Sequence, residues 1–326
     1  MKKIAWIFRS KERNEFSIET LFNCFKNHVS EFEIQEYYLP RGRYNRWTFL
    51  IENCKYAKSI KADIYHITGE VYFVTPFFPK DRTILTVHDC VDLDSTKGLK
   101  KFIRWLFWYY IPFHHCKYIA CISHSVCEEI ERRFPFVKDK IVYAPNPIDD
   151  AYLACKKDFS AKPKILIVGT RINKNVERII EAVKGMSCSL YIIGRLSENQ
   201  KELLEKYNVE YENAYNISDT QMRKAYEKSD LICFPSTYEG FGRPIVEANA
   251  IGRPVVTSNL QPMTEVGGNA AIFVDPYDVD SIKAGLLEVI NSEEIRNKLI
   301  ENGYKNSQKY TADAVARIYM ELYNEL

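Results

Sequence analysis

The sequence predicts an α/β protein made of two doubly wound domains, each with a parallel sheet covered by helices on both faces. Short apolar runs alternate with helical patterns almost throughout, and the runs are continuously apolar, as in strands buried on both sides. The same alternation restarts after residue 160. A length of 326 residues suits two domains of roughly 150 residues each.

The first half opens with the apolar run KIAWIF, followed by a helical pattern near residues 17–29. The strands DIYHI, TILTVHD and KYIACIS come next, then a helix near 125–133 and the strand KIVYAPN. The polar stretch 146–164 contains two prolines and separates this half from the next apolar run. We therefore predict a first domain over residues 1–155.

The second half opens with the strand KILIVGT and a helix near residues 175–185. The strands SLYIIG, DLICFPS, PVVTS and AIFVD follow, with helices near 198–206 and 244–251. Helical patterns near 281–305 and 311–325 close the chain. We predict a second domain over residues 156–310.

Charge and cysteine usage exclude several classes of protein. Lys and Arg number 25 against 20 Asp and Glu through residue 160, and 20 against 23 afterwards, which is far short of a nucleic-acid-binding footprint. The nine cysteines form no C-x-x-C pair and are typical of a reduced, cytosolic protein. The first apolar run is too short for a signal peptide, and no run has transmembrane length.

The stretch FPSTYEGFGRPIVEA, residues 234–248, places two acids on either side of a Gly-x-Gly turn. Glu239 lies in a loop at the carboxyl end of a parallel strand, where open α/β sheets bind ligands, and Glu247 lies in the first turns of a helix. Gly240 and Gly242 allow the backbone to approach an anion at the start of that helix. The alternative is a solvated loop acid followed by an acid that favours a helix start.

The wider span SDLICFPSTYEGFGRPIVEANAIGRPVVTSN resembles the hallmark of glycosyltransferase family four, the retaining nucleotide-sugar transferases. The stretches ILIVGTRINKNVERIIEA and MTEVGGNAAIFVDPYDVDSI extend this resemblance, and LTVHD, ACISHSVCEEI and APNPID carry it more weakly into the first half. The resemblance implies the GT-B fold, two Rossmann-like domains facing a cleft. It also implies that a C-terminal helix, about 311–326, packs back on the first domain.

The resemblance assigns roles to residues of both halves. Glu239 would approach the hydroxyls of the transferred sugar, and Glu247 would hold the ribose of the donor nucleotide. The backbone of Gly240, Phe241 and Gly242 would lie against the donor sugar and diphosphate.

In the loop VGTRINKN, Gly169 ends a strand and two cations follow it. The resemblance implies that Arg171 and Lys174 neutralise the leaving diphosphate, in the role that a metal ion has in other transferases. The alternative is a pair of solvated loop cations. His88 resembles the family histidine that faces the transferred sugar, although a histidine after a strand is more often structural.

The loop after the first strand departs from the family pattern. Many family members have a glycine-rich loop there, at which donor phosphate and acceptor meet, whereas residues 9–15 contain no glycine. We hypothesise that Arg9, Lys11 and Arg13 take over phosphate contacts there.

We expect no metal and no other cofactor. The strings Asp92 to Asp94 and Asp278 to Asp280 are best interpreted as chance pairs of acids, and no zinc-site spacing or Walker loop is present. His114 and His115 are adjacent, so neither a helix nor a strand would direct both to one face for a metal.

The helical pattern over residues 97–110 has two interpretations. Lysines and Arg104 share one side and apolar residues the other, with Trp105 and Trp108 between them. An ordinary helix with its apolar stripe on the core is the favoured interpretation. Peripheral attachment to a membrane is the alternative.

Taken with the resemblance, these residues predict a retaining glycosyltransferase that is cytoplasmic or attached to the inner face of the membrane. Its donor would be a UDP-, GDP- or ADP-type nucleotide sugar, and its acceptor a saccharide or a lipid-linked molecule of surface-polysaccharide or glycan biosynthesis. Two alternatives stay open: a nucleotide-sugar epimerase or hydrolase of the same fold, and a non-catalytic nucleotide-sugar-binding subunit.

Overall fold

The computed structural model describes residues 1–11, 17–42, 46–90 and 97–326 of the chain. These residues form two compact units. The first unit comprises Met1–Asp149 with Ala312–Leu326, and the second comprises Asp150–Thr311. The chain therefore leaves the first unit and returns to it for its last helix.

Each unit contains six strands. Those of the first unit are β1 (Lys3–Phe8), β2 (Glu33–Tyr38), β3 (Ile64–Ile67), β4 (Thr83–Val87), β5 (Tyr118–Cys121) and β6 (Ile141–Tyr143). Those of the second are β7 (Lys164–Val168), β8 (Ser189–Ile193), β9 (Tyr211–Ala214), β10 (Leu231–Phe234), β11 (Val255–Ser258) and β12 (Ile272–Val274).

The described residues also form α-helices. They are α1 (Ser17–Lys26), α2 (Arg46–Ser59), α3 (Gly98–Arg104), α4 (Ile111–His114), α5 (His124–Arg133), α6 (Val176–Ala182), α7 (Glu198–Lys206), α8 (Asp219–Lys228), α9 (Arg243–Ile251), α10 (Met263–Gly267), α11 (Val279–Asn291), α12 (Glu293–Ser307) and α13 (Ala312–Asn324). A π-helical segment, Trp105–Tyr110, joins α3 to α4 without a break.

Both sheets are parallel and doubly wound. The strand order is β2-β1-β3-β4-β5-β6 in the first unit and β12-β11-β10-β7-β8-β9 in the second. In each sheet the chain builds outward in both directions from a central pair, β1 with β3 and β7 with β10. The predicted fold class, two doubly wound parallel-sheet domains, is confirmed. The carboxyl ends of these central pairs are the switch points at which such sheets bind ligands.

The sequence analysis missed two edge strands and several helices. The edge strand β2, EIQEYY, is half-buried and largely polar, and the edge strand β9, YENA, is mostly exposed. Neither has the continuous apolar run by which the other strands were identified. The helices α2, α8 and α10 were also missed, although α8 begins with a capping box formed by Ser218 and Gln221.

The core of the first unit is rich in aromatic residues, and α13 contributes to it. Trp6 and Phe25 are buried under this helix, where the rings of Phe25 and Tyr319 stack with centroids 5.1 Å apart. The core of the second unit consists almost entirely of aliphatic side chains from its strands and from α6, α7, α11 and α12. Burial of these side chains is the main stabilising contribution in both units.

A chain of buried hydrogen bonds ties α13 to the sheet of the first unit. The indole N–H of Trp6 donates to the hydroxyl oxygen of Tyr323 over 3.0 Å, and that hydroxyl lies 2.6 Å from Nδ1 of His66. Nε2 of His66 lies 2.7 Å from Oγ1 of Thr86, which lies 3.1 Å from the hydroxyl of Tyr319. An indole can only donate, so the hydroxyl oxygen of Tyr323 accepts from Trp6. We assign the hydroxyl proton of Tyr323 to the bond with Nδ1, which puts the ring proton of neutral His66 on Nε2.

The favoured interpretation of residues 97–110 was wrong for the first turns of the helix. Leu99, Phe102, Ile103 and Phe107 are 74%, 54%, 43% and 49% exposed, so their side chains do not enter the core. The helix buries its side chains only later, from Tyr109 onward.

Among the described residues, none of the helices combines the length and apolar character that crossing a membrane requires.

Candidate functional site

Two neighbouring loops of the second unit follow the central strands β7 and β10 at their carboxyl ends. The first, residues 169–175, connects β7 to α6 and contains a short 3-10 turn, Ile172–Lys174. The second, residues 235–242, connects β10 to α9. The strands pair directly, with Ile165 opposite Leu231, so the two loops emerge side by side.

Lys174 and Glu239, one from each loop, form an ion pair. The Nζ of Lys174 lies 2.6 Å from Oε1 of Glu239, and the two side chains are 19% and 16% exposed. The side-chain amide of Asn173 donates to the same carboxylate oxygen over 3.3 Å and to the carbonyl oxygen of Tyr238 over 2.9 Å. A cation and an acid therefore meet at the switch point of this sheet.

Gly169 makes room for the lysine. Its φ is +90°, a left-handed value that favours glycine, and an added Cβ would lie 3.0 to 3.3 Å from the side-chain carbons of Lys174. Its N–H donates to the carbonyl oxygen of Ile193 over 2.7 Å, which holds the start of the loop to strand β8.

The glycine turn after Glu239 leads directly into helix α9. Gly242 is the N-cap residue with a φ of +108°, and Pro244 follows in the first turn, where its missing N–H costs no helical hydrogen bond. The side chain of Phe241 is buried, and its ring meets Tyr310 edge to face at 5.4 Å. The backbone N–H groups at such a helix start are suited to an anion.

Glu247 lies one turn into α9 and has a partner on each oxygen. The guanidinium of Arg243 is 2.9 Å from Oε1, and the hydroxyl of Tyr226, from α8, donates to Oε2 over 2.7 Å. The residue is only 6% exposed.

Arg171 was predicted to act with Lys174, and the structure gives the two cations different surroundings. Arg171 is exposed, and within the described part of the chain its guanidinium has no hydrogen bond or ion pair. The neighbouring Ile172 is 92% exposed. The predicted role of Arg171 stays a prediction.

In the first unit, His88 lies just after β4 and is joined to the end of the neighbouring strand β3. Its Nε2–H donates to the carbonyl oxygen of Thr68 over 2.8 Å, so the neutral ring presents Nδ1 as an acceptor. Desolvation by burial lowers the pKa of His88, although the hydrogen bond to Thr68 opposes the shift. Gly69 fits closely against this ring, since an added Cβ would lie 2.8 Å from its Cδ2 atom.

Two of the three cations expected to contact phosphate are engaged with other groups. Arg9 is 4% exposed and pairs with Glu70 at 3.0 Å and with Glu19 at 3.6 Å. The ammonium of Lys11 lies 3.9 Å from the ring centre of Tyr38. The hypothesis for these two residues is therefore not supported by their contacts, and Arg13 lies outside the described residues.

No group of three or more His, Cys, Asp or Glu side chains in the described ranges is arranged to hold a metal ion. Asp278 instead caps helix α11, accepting a hydrogen bond from the N–H of Asp280 over 2.9 Å. The pair Asp92 and Asp94 lies outside the described residues.

Three side chains that contact the two glutamates were not identified from the sequence: Asn173, Tyr226 and Arg243. Arg243 and Glu247 have the four-residue spacing of a helical ion pair, which was a readable signal. Tyr226 is 21 residues from Glu247 and reaches it only because α8 and α9 flank the same strand. Nothing in the local sequence indicates that contact.

Two family models match consecutive halves of the chain. The model described as Glycosyltransferase Family 4 matches residues 7–152, and the model described as Glycosyl transferases group 1 matches residues 155–306.

Individual proteins show the same likeness. The chain is 26% identical over 255 residues to an uncharacterized glycosyltransferase of Methanocaldococcus jannaschii, covering 74% of this chain and 68% of the relative. It is 27% identical over 222 residues to the O-antigen chain mannosyltransferase RfbU of Salmonella typhimurium, covering 64% and 61%. The matches thus span about two thirds of each relative's length.

A solved structure shares the fold over the full length. The Anabaena protein HepE in complex with UDP-glucose superposes with a TM-score of 0.78 at 12% identity, covering 100% of both chains. At this identity the likeness shows the fold alone.

Proposed function

The chain belongs to glycosyltransferase family four and has the GT-B fold, and we propose that it transfers a sugar from a nucleotide-sugar donor to an acceptor with retention of anomeric configuration. The acceptor is a saccharide or a lipid-linked molecule in polysaccharide or O-antigen biosynthesis, in keeping with the function of the Salmonella relative. The observation that carries the proposal is the pairing of Lys174 with Glu239 beside the glycine turn that opens α9.

The donor diphosphate is assigned to the start of α9. Backbone N–H groups and the positive end of the helix dipole favour an anion there, and Lys174 lies in the adjoining loop. Arg171, exposed in the same loop, supplies a second cation. Glu239 accepts hydrogen bonds from hydroxyls of the transferred sugar, and Glu247 accepts them from the ribose.

In the reaction, the bond between the anomeric carbon and the diphosphate oxygen breaks as the acceptor oxygen bonds to the same face of that carbon. The departing phosphate takes the acceptor proton, so no side chain has to act as the base. Lys174 and Arg171 stabilise the negative charge that develops on the diphosphate. His88 faces the transferred sugar in this proposal.

No metal ion and no other cofactor are needed in this mechanism, because the two cations and the helix start meet the diphosphate charge. We expect activity to persist in excess EDTA and to be unchanged by added Mg²⁺ or Mn²⁺. Loss of activity in EDTA with recovery on adding either ion would contradict this part of the proposal.

The first experiment is a binding screen in EDTA with UDP, GDP, ADP and their nucleotide sugars. Glu247→Ala and Lys174→Ala should each weaken binding of the nucleotide that the wild type selects by about 1 to 3 kcal/mol, through lost charged hydrogen bonds. Lys184→Ala is the matched control, because this lysine of the same unit lies 5.0 Å from the ring centre of Tyr207, away from the two loops. Variants that bind like the wild type would contradict the assignment.

The relatives direct the choice of donors. The Salmonella relative is named a mannosyltransferase, and the Anabaena structure holds UDP-glucose. We therefore propose a hexose as the transferred sugar and would test GDP-mannose and UDP-glucose first. Release of the nucleotide in the absence of any acceptor, with an epimerised or free sugar as product, would favour the epimerase or hydrolase alternative.

Binding without turnover, unaffected by substitution of Glu239, would favour a non-catalytic nucleotide-sugar-binding subunit. The chemistry of the two loops argues for turnover, since the acid and the cation of the proposed reaction are both present and in contact.

We also propose that the chain works in the cytoplasm and that residues 97–110 attach it to the inner face of a membrane that contains anionic lipids. All nine cysteines lie in the described ranges and none of them forms a disulfide, as expected in a reducing compartment. The exposed side chains of Leu99, Phe102, Ile103 and Phe107 would enter the interfacial region, while Lys97 and Lys100 meet the head groups.

Vesicle sedimentation tests this attachment. The wild type should bind vesicles of phosphatidylcholine with phosphatidylglycerol, more weakly in high salt, and should not bind phosphatidylcholine alone. The double variant Phe102→Ser with Ile103→Ser should lose this binding. Leu153→Ser, which changes a 71% exposed leucine of the second unit, is the control. Equal binding by the double variant, or none by the wild type, would overturn the attachment.

A further inference from the structure

We infer that Tyr226 and Arg243 are positioning residues that hold the carboxylate of Glu247 ready for the ribose hydroxyls of the donor nucleotide. The inference rests on the proposed function, because it takes the ribose as the ligand of Glu247. It adds two residues to the site and assigns both of them to recognition of the nucleotide rather than to the transfer step.

The two partners hold opposite oxygens of one carboxylate. Arg243, the first residue of α9, is 2.9 Å from Oε1, and the hydroxyl of Tyr226, near the end of α8, is 2.7 Å from Oε2. Rotation of the carboxylate about its last bond would break both hydrogen bonds. The orientation of Glu247 is therefore fixed by two different helices.

Tyr226 is itself held rigidly. Its side chain is fully buried, and its ring meets Tyr152 at 5.8 Å. Its backbone carbonyl accepts a hydrogen bond from Nε of the buried Arg253 over 3.1 Å. Desolvation by burial, together with the nearby charge of Glu247, raises the pKa of Tyr226 well above its ordinary value, so the hydroxyl keeps its proton and donates it.

Helix stability does not account for an arginine at position 243. A cation at the first residue of a helix opposes the helix dipole, and an arginine that precedes its acid by four residues is the less favourable order for a helical ion pair. The contact with Glu247 is an interaction that an arginine makes from this position.

The carboxylate of Glu247 can still accept hydrogen bonds from a ligand. Each carboxylate oxygen has about two acceptor positions, and the protein occupies one on each oxygen. One position per oxygen matches the two neighbouring hydroxyls of a ribose. Because the orientation is set before the ligand arrives, less conformational freedom is lost on binding.

The experiment compares ribose with deoxyribose in the same site. We would measure binding of UDP, GDP and ADP and of their 2′-deoxy forms to the wild type, Tyr226→Phe and Arg243→Met by calorimetry. For the nucleotide that binds, the wild type should prefer the ribose form by about tenfold, as for one hydrogen bond to a charged group. Each variant should reduce this preference to less than about threefold, while binding the deoxy form as the wild type does.

Tyr319→Phe is the matched control, because it removes a buried tyrosine hydroxyl of the first unit, 3.1 Å from Thr86, and should leave the preference unchanged. Variants that keep the wild-type preference would overturn the inference while the proposed function stands. If the variants lost equal affinity for the ribose and the deoxyribose nucleotide, the two residues would serve general stability or the binding of the diphosphate. That result would also overturn the inference.

The proposed function fails in a different way. If the wild type binds none of the nucleotides, the donor site itself is wrongly assigned. If the wild type binds a nucleotide but does not distinguish its ribose and deoxyribose forms, donor binding stands and the inference falls.

Discussion

The ammonium nitrogen of Lys174 lies 2.6 Å from Oε1 of Glu239, although the two residues are 65 positions apart in the sequence. The contact exists because β7 and β10 are neighbours in the sheet and their following loops emerge on the same edge. Each charge holds the other in place before any ligand is present. In the proposed reaction, a lysine fixed in this way meets the diphosphate without first having to be ordered.

Lys174→Met tests whether the charge at this position stabilises the leaving group. We expect kcat to fall about 10²- to 10³-fold, the usual cost of removing one group that stabilises transition-state charge. Methionine keeps most of the apolar stem of the lysine but loses the charge, including the contact of Nζ with the ring of Phe234, whose centre lies 4.6 Å away. Initial rates with saturating donor measure this fall in kcat.

Lys184→Met provides the control for this comparison, because it removes a lysine charge from the same unit at a site 5.0 Å from the ring centre of Tyr207. If Lys174→Met raised only KM for the donor and left kcat unchanged, the lysine would bind donor and transition state equally well, and its catalytic role would be wrong.

Gly169→Ala should impair activity through Lys174. The new Cβ would lie 3.0 to 3.3 Å from the lysine side chain, and the φ of +90° strains any residue other than glycine. Gly185→Ala separates these effects, because its φ is +73° and its Cβ would meet nothing within 4 Å. Both variants should lose about 1 to 2 kcal/mol of stability from backbone strain, but only Gly169→Ala should lower kcat/KM. Equal kcat/KM in the two variants would show that the lysine tolerates the displacement.

Tyr323→Phe should destabilise the first unit by about 2 to 3 kcal/mol, because it leaves the buried N–H of Trp6 and Nδ1 of His66 without their shared partner. Unfolding in urea followed by tryptophan fluorescence isolates this unit, since all four tryptophans of the chain precede residue 110. The control is Tyr118→Phe. It removes an exposed hydroxyl that donates a hydrogen bond to Glu325, the residue after helix α13, which carries Tyr323. A loss no larger than that of the control would mean that water or rearrangement satisfies the two buried groups.

The sequence was sufficient to predict the inner strands, because strands buried on both faces must be apolar throughout. KIAWIF and KILIVGT became β1 and β7 for this reason. An edge strand has a partner on one side only and tolerates polar residues, which is why β2 and β9 lack the apolar signal. The other two edge strands, β6 and β12, have apolar runs and were identified.

The loops could be located from the sequence, but their contacts could not. The strand before Glu239 and the proline after it placed the residue at a ligand-binding edge, whereas its pairing with Lys174 depends on strand order in the folded sheet. The same limit applies to Tyr226 and Glu247. For the helix over residues 97–110, periodicity identified an apolar side, and only the fold shows that its first turns face outward.

The last prediction concerns the stability of the folded chain at acidic pH. Burial lowers the pKa of His66 from 6.5 to about 3, and the hydrogen bond from Tyr323 requires Nδ1 to be unprotonated. Below pH 6.5 the unfolded chain binds a proton at this histidine that the folded chain does not, so the free energy of unfolding falls as the pH drops from 6.5 toward 3. The free energy of unfolding is therefore about 2 kcal/mol lower at pH 5 than at pH 7 because of this histidine.

His66→Gln removes this titration while retaining a side chain that can bond Thr86. The variant should be less stable than the wild type at pH 7, and the difference should shrink by about 2 kcal/mol at pH 5, since only the wild type is then penalised. Burial also lowers the pKa of His88, but that residue is present in both proteins and its effect cancels in the difference. Urea unfolding at the two pH values, followed by tryptophan fluorescence, measures this difference in the free energy of unfolding. A difference independent of pH would mean that His66 accepts its proton in the folded chain, which requires the hydroxyl of Tyr323 to turn away and the hydrogen-bond assignment around this ring to be reversed.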